Sequence, residues 1–152
     1  TMKQEDRESL IEEKHIPDMR IAAHRMRGRY HEIGKGFGII GRAAGRHIKG
    51  HASCLHHDDC YREEDADFEP FFEVSKEIHK DGVDCRMLPG GRAITIRHTG
   101  PYERLSDSYK LLLDLAKEKG LKLQVPSREV YIKGPGSSSR AILRNTSRRF
   151  SS

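Results

Sequence analysis

The chain says one thing twice. Pro17, Arg20, Arg25, Gly28 and Tyr30 recur as Pro89, Arg92, Arg97, Gly100 and Tyr102, each pair 72 positions apart. Five identities at one offset, in a chain of 152 residues, point to a duplicated unit. Each copy reads strand–turn–strand–helix–strand, and neither has enough sheet or core to stand alone. Two such units side by side predict one α+β domain, with a sheet, both helices on one face and a groove between the halves as the natural ligand site.

The element assignments behind that reading are local. Ser9 to Ile16 and Met19 to Met26 read as strands around the Pro17-Asp18 turn. From Tyr30 onward, Ile33, Phe37, Ile40, Ala44 and Ile48 recur at spacings of three and four, which predicts an amphipathic helix ended by Gly50. Its four glycines (Gly34, Gly36, Gly38, Gly41) each cost about 1 kcal/mol against alanine. Such a helix needs tertiary support, or uses its glycines for close approach. His51 to His57 and Phe68 to Ile78 follow as strands, and Asp81-Gly82 predicts a hairpin turn into Val83 to Leu88. The second unit repeats the order: strand Arg92 to His98, turn at Gly100-Pro101, then a helix carrying Tyr102, Leu105, Tyr109, Leu112, Leu113, Leu115 and Ala116. Gly120 caps it, and Leu121 to Val125 and Glu129 to Ile132 close the unit.

Composition narrows the class. Hydrophobic residues make up 35% and charged residues 34%, so the core is lean and the surface heavily charged. No apolar run approaches the ~18 residues of a membrane span, and the first residues are polar rather than a secretory leader. Three cysteines (Cys54, Cys60, Cys85) without a CxxC pair suit a reducing, cytoplasmic setting. The net charge of +5 is concentrated: residues 137–152 hold four arginines and no acid, leaving the body about +1. A nucleic-acid binder spreads its basic patch over a folded face, so no direct nucleic-acid binding is expected.

The duplicated Pro-x-x-Arg…Arg-x-x-Gly-x-Tyr pattern, "LPGGRAITIRHTGPYERL" and "REVYIKGP" resemble the GyrI-like small-molecule-binding domains. These include the effector-binding halves of AraC-type and MerR-type multidrug regulators. The resemblance covers about Leu10 to Pro135. It implies tandem strand-helix-strand-strand (SHS2) repeats, residues 8–78 and 82–136, around a pocket for large cationic or aromatic molecules. It also implies that the glutamate of an E-x-Y motif, here Glu129-Val130-Tyr131, projects into that pocket. A carboxylate in an apolar pocket is costly to bury alone, and a ligand cation would compensate it. Tyr30, Phe37, Phe72, Tyr109 and Tyr131 are candidate walls from their positions, adding cation–π attraction of about 0.5–2 kcal/mol.

The resemblance leaves three functions open. The first is a stand-alone binding protein for a hydrophobic, cationic xenobiotic or effector, in transcription regulation or drug sequestration. Few residues precede the first strand, so transcription control implies a separate DNA-binding regulator as partner. The second is a hydrolase that opens cyclopropane-bearing alkylating compounds, with Glu129 and Tyr131 as catalytic residues; the chain lacks the tryptophan wall some members use. The third is a gyrase-interacting inhibitor. No cofactor is called for.

Other clusters carry less. His47, His51, Cys54, His56, His57, Asp58, Asp59 and Cys60 are dense in donors but follow no standard metal-ligand spacing. A mixed polar strand and loop is the preferred reading. Cys54 as a nucleophile lacks a nameable orienting partner. Gly90-Gly91 is no phosphate loop, since no Lys-Ser/Thr follows. Arg97-His98 reads as a strand edge entering a turn, not an anion site. Aligning Cys60 with Pro135 sets Cys54 opposite Glu129 and His56 opposite Tyr131, so the first half lacks the carboxylate and the site is asymmetric.

Residues 137–152 depart from the family's "GNP…TEI" ending and read as a basic tail, non-native or disordered. One codon choice for them, read one base out of frame, gives IFKGNPKKYLTEILI. That suggests a frameshift at about Gly136, which would leave the sheet without its last strand.

Overall fold

The alternation and helical periodicity of the two units resolve into nine strands and two helices in the computed structural model, which describes residues 11–60, 62–100, 104–132 and 139–148. In chain order these are β1 (Ile11–Ile16), β2 (Met19–Ala23), β3 (Met26–Gly28), α1 (Ile33–Ala44), β4 (Ile48–His56), β5 (Ala66–Val74), β6 (Asp84–Leu88), β7 (Gly91–Thr99), α2 (Leu105–Glu118), β8 (Leu121–Tyr131) and β9 (Ser139–Arg148). All ladders are antiparallel, in the order β1-β7-β9-β8-β4-β5-β2-β6, with β3 extending the β2 side against β5.

The register keeps the repeat. β1 on β7 pairs Ile16 with Gly91, and β6 on β2 pairs Leu88 with Met19, the same geometry moved by one repeat. Each unit's leading strand thus lies on the outer edge of the other unit. The linker from β1 to β2 holds only Pro17 and Asp18, which can span no more than about 11 Å. The sheet must therefore curl until its outer strands meet at the two linkers. There the Gly90 N–H donates to Asp18 Oδ1 at 2.7 Å. A side chain at Gly90 would put its Cβ 1.9 Å from the Ile16 carbonyl oxygen, so only glycine fits this crossing. At the sheet centre Cys54 pairs with Glu129, its own repeat counterpart. The pseudo-two-fold axis runs through both places.

The helices cover one face. α2 packs Leu105, Leu112 and Ala116 on Ile94, Ile96 and Ile142, while α1 packs Ile40 and Ala44 on Ala22, Val74 and Ile78. His98 on β7 contacts Ser108 on α2 through Nδ1 and Oγ at 2.8 Å, which ties the strand to the helix. Pro101, Tyr102 and Glu103 lie outside the described residues. On the opposite face Ile21, Leu55, Phe71 and Leu88 form a second core. Glu69 enters it and is held by Arg86 at 2.7 and 2.9 Å and by His57 Nε2 at 2.9 Å.

Several expectations shift. The first helix ends at Gly45, whose φ of 50° breaks it, so Ile48 opens β4 instead of closing the helix. Gly50, at φ 73°, falls inside β4 where the register with β5 slips. Of the four helical glycines only Gly36 is used for close approach, against Pro70 and the Met26 sulfur. Asp81-Gly82 makes a turn but not a hairpin, because β2 lies between β5 and β6. Leu121 to Tyr131 is one strand, not two pieces.

The largest difference concerns the tail. Ser139–Arg148 is β9, seated between β7 and β8 with Ile142 fully buried, so the sheet has a strand where a tail was expected. Apolar Ala141 and Leu143 alternate with Arg140, Ile142 and Arg144, and period two is enough to complete a ladder whose two neighbours already exist. Residues 133–138 and 149–152 lie outside the described residues.

Candidate functional site

Period two along β8 sends Ser127, Glu129 and Tyr131 to the helical face and Arg128 and Val130 to the other. Antiparallel pairing then sets Arg140 beside Tyr131, Ile142 beside Glu129 and Arg144 beside Ser127, all on that face. His56 on β4 joins them across the pseudo-axis. The amino-terminal turns of the two helices stand over this floor. Tyr30, in the 3-10 turn before α1, lies with its ring centroid 5.4 Å from His56. Tyr109 reaches in from α2. The result is a cleft of about 1470 Å³ between the halves, with Leu105, Leu113 and Ile33 as apolar wall. Leu113 is 50% exposed, and the surface it exposes belongs to this cleft.

Glu129 is the buried centre, 3% exposed. Arg140 donates from one terminal nitrogen to its Oε1 at 2.8 Å. The Tyr109 hydroxyl donates to Oε2. His56 Nε2 stands 3.2 Å from Oε2, an ion-pair distance not aligned as a hydrogen bond. Burial pushes the Glu129 carboxyl up, but His56, Tyr109 and Arg140 outweigh it and hold its pKa at about 2. His56 is pulled down by burial, yet the facing carboxylate raises it well above the ordinary histidine value. Burial, then the Glu129 charge, raises Tyr109. The three groups titrate as a coupled set, in which the Glu129 charge favours the protonated forms of His56 and Tyr109.

Of the residues singled out from sequence, Tyr30, Tyr109, Glu129 and Tyr131 line the cleft. Phe37 and Phe72 do not; they stack behind it, Phe37 with its centroid 6.3 Å from Tyr131 and 5.3 Å from Phe72. The aromatic hydroxyl on Glu129 comes from Tyr109, whereas Tyr131 offers its ring face to Arg140, whose Cζ is 5.1 Å from the centroid. The picture of a lone carboxylate awaiting a ligand cation is therefore corrected: the protein itself surrounds Glu129 with positive charge. Sequence reading missed His56, Arg140 and Arg144. The alignment of His56 with Tyr131 was a signal for the first. Nothing marked the arginines, because they sat in a stretch assigned to the tail.

The histidine-cysteine-aspartate cluster disperses along β4 and the following loop. Cys54 is buried under the cleft, His56 faces Glu129, His57 faces Glu69, and Asp58 accepts the Asp67 N–H at 2.8 Å. His51 and Cys60 are exposed. Among the described residues no three such groups converge as a metal set. No helix there is long and apolar enough to cross a membrane.

Comparison with solved structures finds the same architecture. The EcmrR C-terminal domain superposes with a TM-score of 0.77 at 21% identity, over 91% of this chain and 98% of that one. EcmrR in its complex with DNA gives 0.78 at 21% identity; the match takes 96% of this chain and 61% of that longer protein. SAV2435 bound to tetraphenylphosphonium gives 0.56 at 10% identity, over 90% of this chain and 93% of that one. A comparison with curated protein sequences gives no match. The sequence pattern of GyrI-like small-molecule-binding domains matches residues 9–143, and the chain belongs to that family.

Proposed function

We propose that the cleft binds a hydrophobic, aromatic small molecule and that the protein senses or sequesters it. The observation that carries this is a cleft of about 1470 Å³ with tyrosine and leucine walls over a floor that holds Glu129, Arg140 and Arg144, a concave apolar surface with convergent polar groups of the kind that takes an organic ligand. The EcmrR–DNA complex and the tetraphenylphosphonium complex of SAV2435 support a regulatory or drug-binding setting. A control role calls for a DNA-binding regulator acting with this domain. Hydrolysis is the weaker reading, although a hydrolase from Listeria innocua shares the fold. A carboxylate held at about 2 is a poor general base near neutral pH.

A panel of lipophilic aromatic compounds, followed by thermal shift and equilibrium dialysis, tests the binding reading. Saturable one-to-one binding that weakens on Tyr30→Ala and Tyr109→Ala is expected. Ring-opened product from a cyclopropane-bearing alkylator, lost on Glu129→Gln, would overturn it in favour of the enzyme. Capture of gyrase by the purified protein, undisturbed by the same tyrosine variants, would favour the inhibitor.

A further inference from the structure

The floor of the cleft already holds an organic cation, and the protein supplies it. Arg140, 5% exposed, bonds Glu129 at 2.8 Å and lies with Cζ 5.1 Å from the Tyr131 ring centroid. A carboxylate beside an aromatic face is the pairing that receives a cationic head group, through charge and cation–π attraction. Here both are committed to Arg140.

The repeat shows how unusual that residue is. Tyr131 pairs with Arg140, and its counterpart His56 pairs with Phe68. Phe68 is fully buried and packs its ring 5.4 Å from Tyr30. The first half therefore has an aromatic wall where the second has a guanidinium. Arg144 likewise stands where the first half has Phe72. Arg144 donates through Nε and a terminal nitrogen to the Gln124 carbonyl at 3.2 and 3.1 Å, and it makes no ion pair with a carboxylate among the described residues. It lines the cleft while 9% exposed. Burial lowers its pKa and outweighs the opposing pull of Tyr109 and Asp59. On the floor Glu129 is thus one carboxylate facing Arg140, Arg144 and His56, while Asp58, Asp59, Glu63 and Glu64 line the cleft elsewhere.

We propose that Arg140 determines the specificity of the cleft: it fills the cation subsite made by Glu129 and Tyr131, and so selects hydrophobic ligands with an anionic group, which Arg144 receives. This rests on the ligand-binding reading above. Tetraphenylphosphonium and tetraphenylborate separate the two, being alike in shape and opposite in charge. The full chain is expected to bind tetraphenylborate at least tenfold more tightly by calorimetry. Arg140→Phe, which repeats the residue of the first half, and Arg140→Gln are both expected to reverse the order. Arg144→Gln is expected to weaken only the borate. Adding Glu129→Gln to Arg140→Phe should remove the gain for the phosphonium. A parent chain that prefers the phosphonium, or a preference unchanged in both folded Arg140 variants, overturns the assignment of Arg140 alone. Binding of neither ion by any folded form overturns the cleft as a ligand site and the proposed function with it.

Discussion

Glu69 and Glu129 are both buried carboxylates held at about 2, and they lie on opposite faces of the sheet. Burial alone would raise Glu69; hydrogen bonds from His57 and Arg86 more than reverse it. A depressed folded-state pKa contributes stability above the unfolded value of 4.5 and loses it as pH falls toward 2. Glu69→Gln is therefore expected to cost about 3 kcal/mol at pH 7, and the gap from the parent should narrow between pH 4.5 and 2.5. Urea unfolding across that range measures it; a gap that stays constant with pH would show that Glu69 acts by packing alone. Only Glu129 faces the cleft, and which of the two does so was visible in the E-x-Y motif. Their partners were not, because Arg86 and Arg140 are distant in sequence and meet the carboxylates only through strand pairing.

At the scale of elements, α1 separates two roles of glycine. A Cβ at Gly36 would lie 2.4 Å from Pro70 Cγ, whereas at Gly41 it would meet nothing within 4 Å. Gly36→Ala is expected to destabilise by about 1–3 kcal/mol through overpacking. Gly41→Ala should stabilise by about 1 kcal/mol through helix propensity. Chemical denaturation of the two variants decides it, and equal effects would remove the close-approach role of Gly36. β9 is the other informative element. Stopping the chain before Ser139 removes the strand between β7 and β8, and the truncated protein is expected to lose cooperative unfolding by circular dichroism. The one-base shift that yields IFKGNPKKYLTEILI makes its own prediction: the coding DNA carries a displaced base near the Gly136 codon. A coding sequence that no one-base shift converts would end that idea. The shifted reading has no arginine at the position of Arg140, so it should share the ligand preference of Arg140→Phe.

For the whole molecule, the duplication was legible because Pro17, Gly28 and Tyr30 recur at a fixed interval in Pro89, Gly100 and Tyr102. From that interval follow two like halves, two helices and a seam. Helix and strand type were also legible, since period 3.6 and period 2 are properties of neighbouring residues. The exchange of β1 and β6 between the halves was not, because a local pattern does not say which distant strand completes an edge. The contact at Gly90 that holds this crossing predicts that Gly90→Ala, placing Cβ 1.9 Å from the Ile16 carbonyl, yields little folded protein. A folded Gly90→Ala with an unchanged melting temperature would show that the linkers separate freely. By itself the sequence determined the repeat, the element types and the carboxylate at the seam. Only the tertiary structure decided what surrounds that carboxylate, because charge compensation depends on groups 11 and more residues away being brought within bonding distance by the sheet register.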